Sequence, residues 1–177
     1  MNIIKQKTWY PVSLQESKDH LRISTDDTTD DNYIRNLIKV ATTEGENYVG
    51  FDIAYTKNTV EIFDFVSDKI DLPFGNFQSL VSITDSSIAV SYDHIIKNKG
   101  RFAIELNTVV DSDPITVIFY TGFPQDKEDE GSIELIKQYI LIRLSDLYEP
   151  ERSSWSYGAL RNTNTAEKLL SGLLGLY

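Results

Sequence analysis

Residues 45–65 read GENYVGFDIAYTKNTVEIFDF, and the fold turns on the change of period inside them. Upstream, Tyr33, Ile34, Leu37, Ile38, Ala41, Tyr48 and Val49 recur at helical spacing, which predicts one long helix behind an Asp30 cap. Gly45 weakens that helix and Gly50 ends it. Downstream, TVEIFDF alternates apolar and polar side chains, as a half-buried strand does.

Working outward toward the N-terminus, Ser13-Leu14-Gln15-Glu16 has the spacing of a capping box and predicts a short helix over about 14–21. Toward the C-terminus, KIDLPF, LVSIT, DHIIK, RFAIEL and ITVIFY continue the β pattern, with Lys97-Asn98-Lys99-Gly100 as a hairpin turn. An antiparallel unit of five or six strands follows, with Pro73 and Pro114 at strand ends. After the acidic connector FPQDKEDEG, residues 132–148 form the most apolar helix, which Pro150 forbids from continuing. Its Ile and Leu residues occupy more than one face, so it is buried on several sides. The expected class is α+β, mostly helical. Residues 1–150 form a helical domain with a β unit inserted at about 51–122, and 151–177 form an aromatic loop and an apolar tail.

The composition excludes several functions. Apolar residues make up 41% and charged residues 25%, enough to bury a core in one domain. With 27 acidic against 17 basic residues the net charge is -10, which disfavours a surface that grips nucleic acid or an anionic membrane. The absence of cysteine removes disulfides, thiolate nucleophiles and Cys-based metal sites. MNIIKQKTWYPVS is not a signal peptide, and no stretch reaches the length of a membrane span, so a soluble intracellular chain is expected.

Catalytic patterns fail one by one. An EF-hand starting at Asp26 requires Gly where Asp31 stands and Glu where Leu37 stands. The two histidines, His20 and His94, lie in different elements, without a nucleophile elbow or an H-E-x-x-H helix. The glycines are isolated, so Walker and dinucleotide fingerprints are absent. No catalytic residue, metal ligand or cofactor is assigned. What remains is surplus apolar surface. Leu169, Leu170, Leu173, Leu174 and Tyr177 sit at a terminus, where polar residues are usual, and Trp155 and Tyr157 stand in a polar loop. The tail either folds back on its own core or docks on another chain. A protein of assembly is favoured over an enzyme, with a small carbohydrate-binding module stacking sugars on Trp155 and Tyr157 as the alternative of another class.

The chain resembles the phage head–tail connector (head-completion adaptor) family. VSLQESKDHLRIS is similar to a family opening L-x-E-x-K-x-H-L-R, and DNYIRNLIKVATTEGENYVG to its longer helix ending near E-x-Y-T-G. KIDLPFGNFQSLVSI is similar to the family's strand, Leu-Pro turn and next strand, and ITVIFYTGFP to a strand ending in Y-x-x-G. IELIKQYILIRLSDLYEPER is similar to the long helix ending in L-Y-x-x-R-E, with Tyr148 and Arg152 at matching positions. The order of these motifs carries the resemblance. Two departures are the acidic DKEDEGSIE where the family has a V-P pair, and the tail NTNTAEKLLSGLLGLY where it has a Pro-containing segment and a basic terminus.

The resemblance implies a structural subunit of a homo-oligomeric ring, commonly twelve-fold, at the head–tail junction of a virion assembled in the host cytoplasm. The portal protein lies above, a tail or second connector protein lies below, and DNA passes through without specific binding. Another virion adaptor, such as a tail-completion or baseplate component, is the runner-up. Tyr148, Arg152, Trp155, Tyr157, Leu169, Leu170, Leu173, Leu174 and Tyr177 are then interface candidates. Asp26, Asp27, Asp30 and Asp31, with Asp126, Glu128, Asp129 and Glu130, become candidates for an acidic channel wall that repels phosphate.

Overall fold

A computed structural model describes residues 1–98, 100–127, 131–148 and 163–174. Strand β1 (Asn2–Trp9) precedes α1 (Leu14–Leu21) and α2 (Asp31–Val49). The β region follows as β2 (Tyr55–Ile62), β3 (Phe65–Leu72), β4 (Phe77–Asp85), β5 (Ile88–Ala89), β6 (Tyr92–Asn98), β7 (Arg101–Ser112) and β8 (Ile115–Thr121). A 3₁₀ turn (Gln125–Lys127), α3 (Gly131–Tyr148) and α4 (Thr163–Ser171) complete the order.

The expectation of an α+β, mostly helical chain is overturned. About 40% of the structure is strand and 35% helix, in two antiparallel sheets. One reason is β1, which the sequence does not announce. Among the described residues it is an edge strand that pairs with β2 alone, from Asn2 opposite Glu61 to Trp9 opposite Tyr55. Its neighbours Ile3 and Ile4 are both exposed, so no alternation marks it. A second reason is β7, where residues 107–109 bulge out between the Lys69–Glu105 and Ser67–Val110 pairs and interrupt the period.

The sheets have orders β1-β2-β8-β4-β5 and β3-β7-β6. Val60, Ile83, Ile115, Val117 and Phe119 of the first share one core with Phe65, Ile70, Leu72, Phe102 and Ile104 of the second. Aromatic rings tie it together, with Phe102 meeting Phe119 edge-on at 4.9 Å and Phe74 meeting Phe119 at 5.0 Å.

A second core is helical. Ile133, Ile136, Tyr139 and Ile140 of α3 gather with Ala41 and Val49 of α2, Phe51, Ile53 and Phe123 of the connections, and Ala166, Leu170 and Leu173 from α4 onward. Leu144 belongs to a third cluster with Ile34, Leu37 and Ile38. The apolar faces of α3 are therefore largely covered by its own chain, and Leu135 is its one large apolar side chain that is exposed among the described residues. Gly45, which costs helix propensity, permits this packing. A Cβ there would lie 2.9 Å from the Tyr139 ring and 3.0 Å from Ile53.

The helical and β parts are joined where β8 ends. Gly122 has φ +87°, and a Cβ on it would stand 2.0 Å from the carbonyl oxygen of Ala54. Its amide donates to the Asn76 carbonyl and that of Phe123 to Ile53, so the chain enters the helical layer along a fixed path.

Candidate functional site

The acidic segment between α1 and α2 is built from α1 upward. Ser13 and Glu16 form both bonds of the capping box, the Ser13 amide donating to Oε2 at 2.7 Å and the Glu16 amide to Oγ at 3.2 Å. Partial burial pushes the Glu16 carboxyl upward, but the Ser13 hydrogen bonds and the Lys137 ammonium outweigh it and hold the group below its ordinary value. With α1 fixed this way, Lys18 points inward and is almost wholly buried.

The Lys18 Nζ donates to the Thr25 carbonyl at 3.0 Å, the Asp27 carbonyl at 2.5 Å and the Asp31 Oδ1 at 2.9 Å. An ammonium has three donors, and all three are used. The segment from Thr25 to Asp31 is thereby wrapped around one buried charge. Asp31 is consumed by this pair and by the more distant Arg35 at 3.9 Å. Asp30 sits at the cap position of α2 but makes no capping bond. Its Oδ2 accepts the Tyr148 hydroxyl at 2.6 Å. Asp26 and Asp27 are exposed, and hydrogen bonds from Thr29 hold the Asp27 carboxyl low. Of the four carboxylates read as one acidic group, Asp26 and Asp27 face solvent, Asp27 bonded to nearby Thr29, while Asp30 and Asp31 pair with the distant Tyr148 and Lys18.

Tyr148 closes the same end. Besides Asp30, its ring lies 5.9 Å from that of Tyr33, whose hydroxyl donates to the Leu147 carbonyl. One turn earlier, Arg143 places Nε and Nη2 on Glu44 Oε2 at 3.0 and 2.9 Å, and Nη1 near Asp146 at 3.3 Å. These contacts fix α3 against α2.

Leu170 and Leu173 are buried in the chain's own core, Leu169 is partly buried against it, and Leu174 is 49% exposed. Of the apolar tail, Leu174 is thus the described leucine that offers most surface to a neighbour. Arg152, Trp155, Tyr157, Tyr177, Glu128, Asp129 and Glu130 lie outside the described residues. Asp126 is exposed in the 3₁₀ turn, close enough that its charge adds to burial in raising the Tyr55 phenol.

Two polar clusters escaped sequence reasoning. Glu46 accepts the amides of Ile53 and Ala54 on Oε1 at 3.1 and 3.0 Å, and Lys7 on Oε2 at 2.6 Å, clamping α2 to β1 and to the connection that leads into β2. Asp52 accepts Lys5 at 2.7 Å and the Thr121 hydroxyl at 2.6 Å, and Thr121 in turn accepts the Asn58 amide at 2.7 Å. Asp52 and Thr121 stand 69 positions apart, so no local pattern could pair them. Among the described residues, no group of three His, Cys, Asp or Glu converges to hold a metal ion.

Comparison with known proteins places these clamps in a family. The family model for the phage gp6-like head-tail connector protein matches residues 11–99, half of the chain. This chain belongs to that family. As a connector it is a structural component of the phage particle. The match spans α1, α2 and β2 to β6, so Lys18, Glu46 and Asp52 fall inside it. No curated protein matches. In fold, the connector is similar to a chain of the virion of a native gene transfer agent particle, with TM-score 0.70 and 14% identity. It is also similar to chains of the neck of an empty particle computed with C6 symmetry (0.65, 12%) and of a native particle computed with C12 symmetry (0.66, 11%). Each comparison covers 100% of this chain and 97% of the other.

Proposed function

We propose that this connector is one subunit of a ring at the head–tail junction, docked beneath the portal, that extends the DNA channel and offers a platform for tail attachment. The observation that carries the proposal is membership of the connector family, together with a fold shared along the whole chain with proteins of particle necks. Those necks were computed with six- and twelve-fold symmetry, which favours a closed ring of identical copies, twelve in our reading. Ring closure needs a different patch on each side of the subunit, and the segment 151–177, with Arg152, Trp155, Tyr157 and Tyr177, is proposed to supply one of them.

DNA sliding through such a ring must not stick. A chain of net charge -10 suits a lumen that repels phosphate, and Asp26 and Asp27, exposed and held in place through Lys18, are its best candidates. Asp126, with the acidic positions 128–130, is a second candidate for the wall. No chemical step is required of the protein in this role.

The test is native mass measurement of the purified chain, alone and mixed with portal, followed by imaging of complete particles. A ring at the junction is expected. Complete, tailed particles that lack this polypeptide at the joint refute the proposal.

A further inference from the structure

The first sheet has two faces, and its own chain buries one of them. Alternate positions of its strands point inward and are fully buried, as Asn58 and Val60 of β2 and Val117 and Phe119 of β8 are. The intervening positions point outward, and the register sets them in rows across the sheet. Ile4 stands opposite Thr59, Thr59 opposite Ile118 and Ile118 opposite Ser82. Neighbouring rows run from Asn2 to Thr84 and from Gln6 to Ser79. Beside the Gln6 row, the Tyr55 ring stacks on that of Tyr120 at 4.7 Å. Ile4 is 57% exposed, and none of the outward positions on β2 and β8 is buried.

Antiparallel sheets commonly turn one face to water, so exposure by itself assigns nothing here. Composition does, and the second sheet is the internal comparison. On its outer face Lys69, Glu105 and His94 share one row and Asp71, Ala103 and Ile96 the next, with Arg101 and Asp111 toward the two ends of β7. That face is charged, as a solvated one is expected to be. In the three rows of the first sheet the charged positions are Lys57 and Glu61, and the rest are Ile, Tyr, Thr, Ser, Asn and Gln. Asp126 adds one carboxylate at the border, near enough to act on the Tyr55 phenol. Depletion of charge around aromatic and aliphatic side chains marks the centre of a protein interface.

We infer that this outer face of the first sheet seats the next copy of this chain in the proposed ring. Every copy carries a net charge of -10, so two copies repel wherever their acidic surfaces meet. A face with one Lys against one Glu, and Asp126 at its border, is where that repulsion is least. A strongly basic partner is drawn to the acidic surfaces instead, and nucleic acid finds a single Lys on this one. Ring contacts are head-to-tail, so the sheet of one copy meets an unlike surface of the next. The inference rests on the proposed ring and adds which face forms one side of the joint between subunits.

The chain has no cysteine, so Thr59→Cys places a single thiol on the first sheet and Ile96→Cys one on the second. Each full-length variant is labelled with a benzophenone maleimide and mixed with excess unlabelled wild type, alone and with portal. After irradiation the cross-linked products are weighed. The label at position 59 is expected to join two copies of this chain, at least tenfold more often than the label at position 96, and to stop doing so when the ring is diluted to free chains. Products that join position 59 to portal, or equal yields from the two positions, overturn the inference while leaving the ring intact. A second measurement needs no label. Ile118→Glu, shown by thermal melting to fold, is expected to lower the yield of rings tenfold or more, and Thr59→Glu replaces it if it does not fold. A folded Glu variant that closes rings as wild type does overturns the inference. Wild type that closes no ring, alone or with portal, refutes the proposed role itself.

Discussion

Replacing Leu170 with Ala separates a tail that belongs to the fold from one held in reserve for a neighbour. Leu170 is fully buried and shares a cluster with Ala166, Leu173 and the α3 residues Ile133, Ile136 and Ile140. Truncation leaves a cavity in a close-packed site, and such Leu→Ala changes cost about 2–5 kcal/mol. Taking about 3 kcal/mol, and about 2–4 °C per kcal/mol for a domain of this size, the melting temperature falls by about 6–12 °C. Leu174, half exposed four positions later, is the internal control, and its change to Ala is expected to stay within about 0.5 kcal/mol. The measurement is thermal and urea unfolding of the isolated full chain, followed by circular dichroism at a concentration where no ring forms. Equal melting of Leu170→Ala and wild type refutes the reasoning, since it means that α4 is not packed on α3 in the free protein.

Three further outcomes follow from the same contacts. Gly122→Ala forces a Cβ against the Ala54 carbonyl at positive φ, and is expected to cost more than about 3 kcal/mol in urea unfolding. Lys18→Met leaves Asp31 and two carbonyls without their donor; a loss of roughly 3 kcal/mol and faster amide exchange across residues 25–31 are expected. Glu16→Gln tests the acid limb of stability. Because folding lowers the Glu16 carboxyl from its reference value of 4.5, the unfolded chain binds that proton more readily. Its stabilisation is therefore complete above that value and is lost as pH falls through the lowered folded one. Urea midpoints between pH 7 and 3 should decline less steeply for Glu16→Gln than for wild type.

Much of the helical layer is legible from local pattern. The capping box at Ser13, the stop at Gly50 and the limits of α3 rest on hydrogen bonds and periodicity within a few residues, so the amino acids present decide them. The proportions of the fold are less legible. β1 is an edge strand with adjacent exposed isoleucines, and β7 is broken by its bulge, so alternation fades where the strands continue. The resemblance to the connector family was visible from motif order, and the family match supports it. The physical purpose of those motifs was not: the Lys of the opening motif is a buried organiser of the acidic loop, and the Glu before Gly50 clamps two amides of the connection that leads into β2.

The interface candidates show where local reading stops. Hydrophobicity alone cannot tell a leucine that covers its own core from one that waits for a partner. The sequence by itself determined the elements of the helical layer, the absence of thiol chemistry and the negative field, because these depend on near neighbours or on composition. Only the tertiary structure decided that Leu170 is inside and Leu174 outside, that Asp30 and Asp31 are paired with distant side chains while Asp26 and Asp27 are presented, and that turns far apart in the sequence are bonded together at one end of the sheets. Each of those outcomes depends on residues brought together from far apart in the chain, and burial and pairing are properties of that meeting rather than of any residue alone.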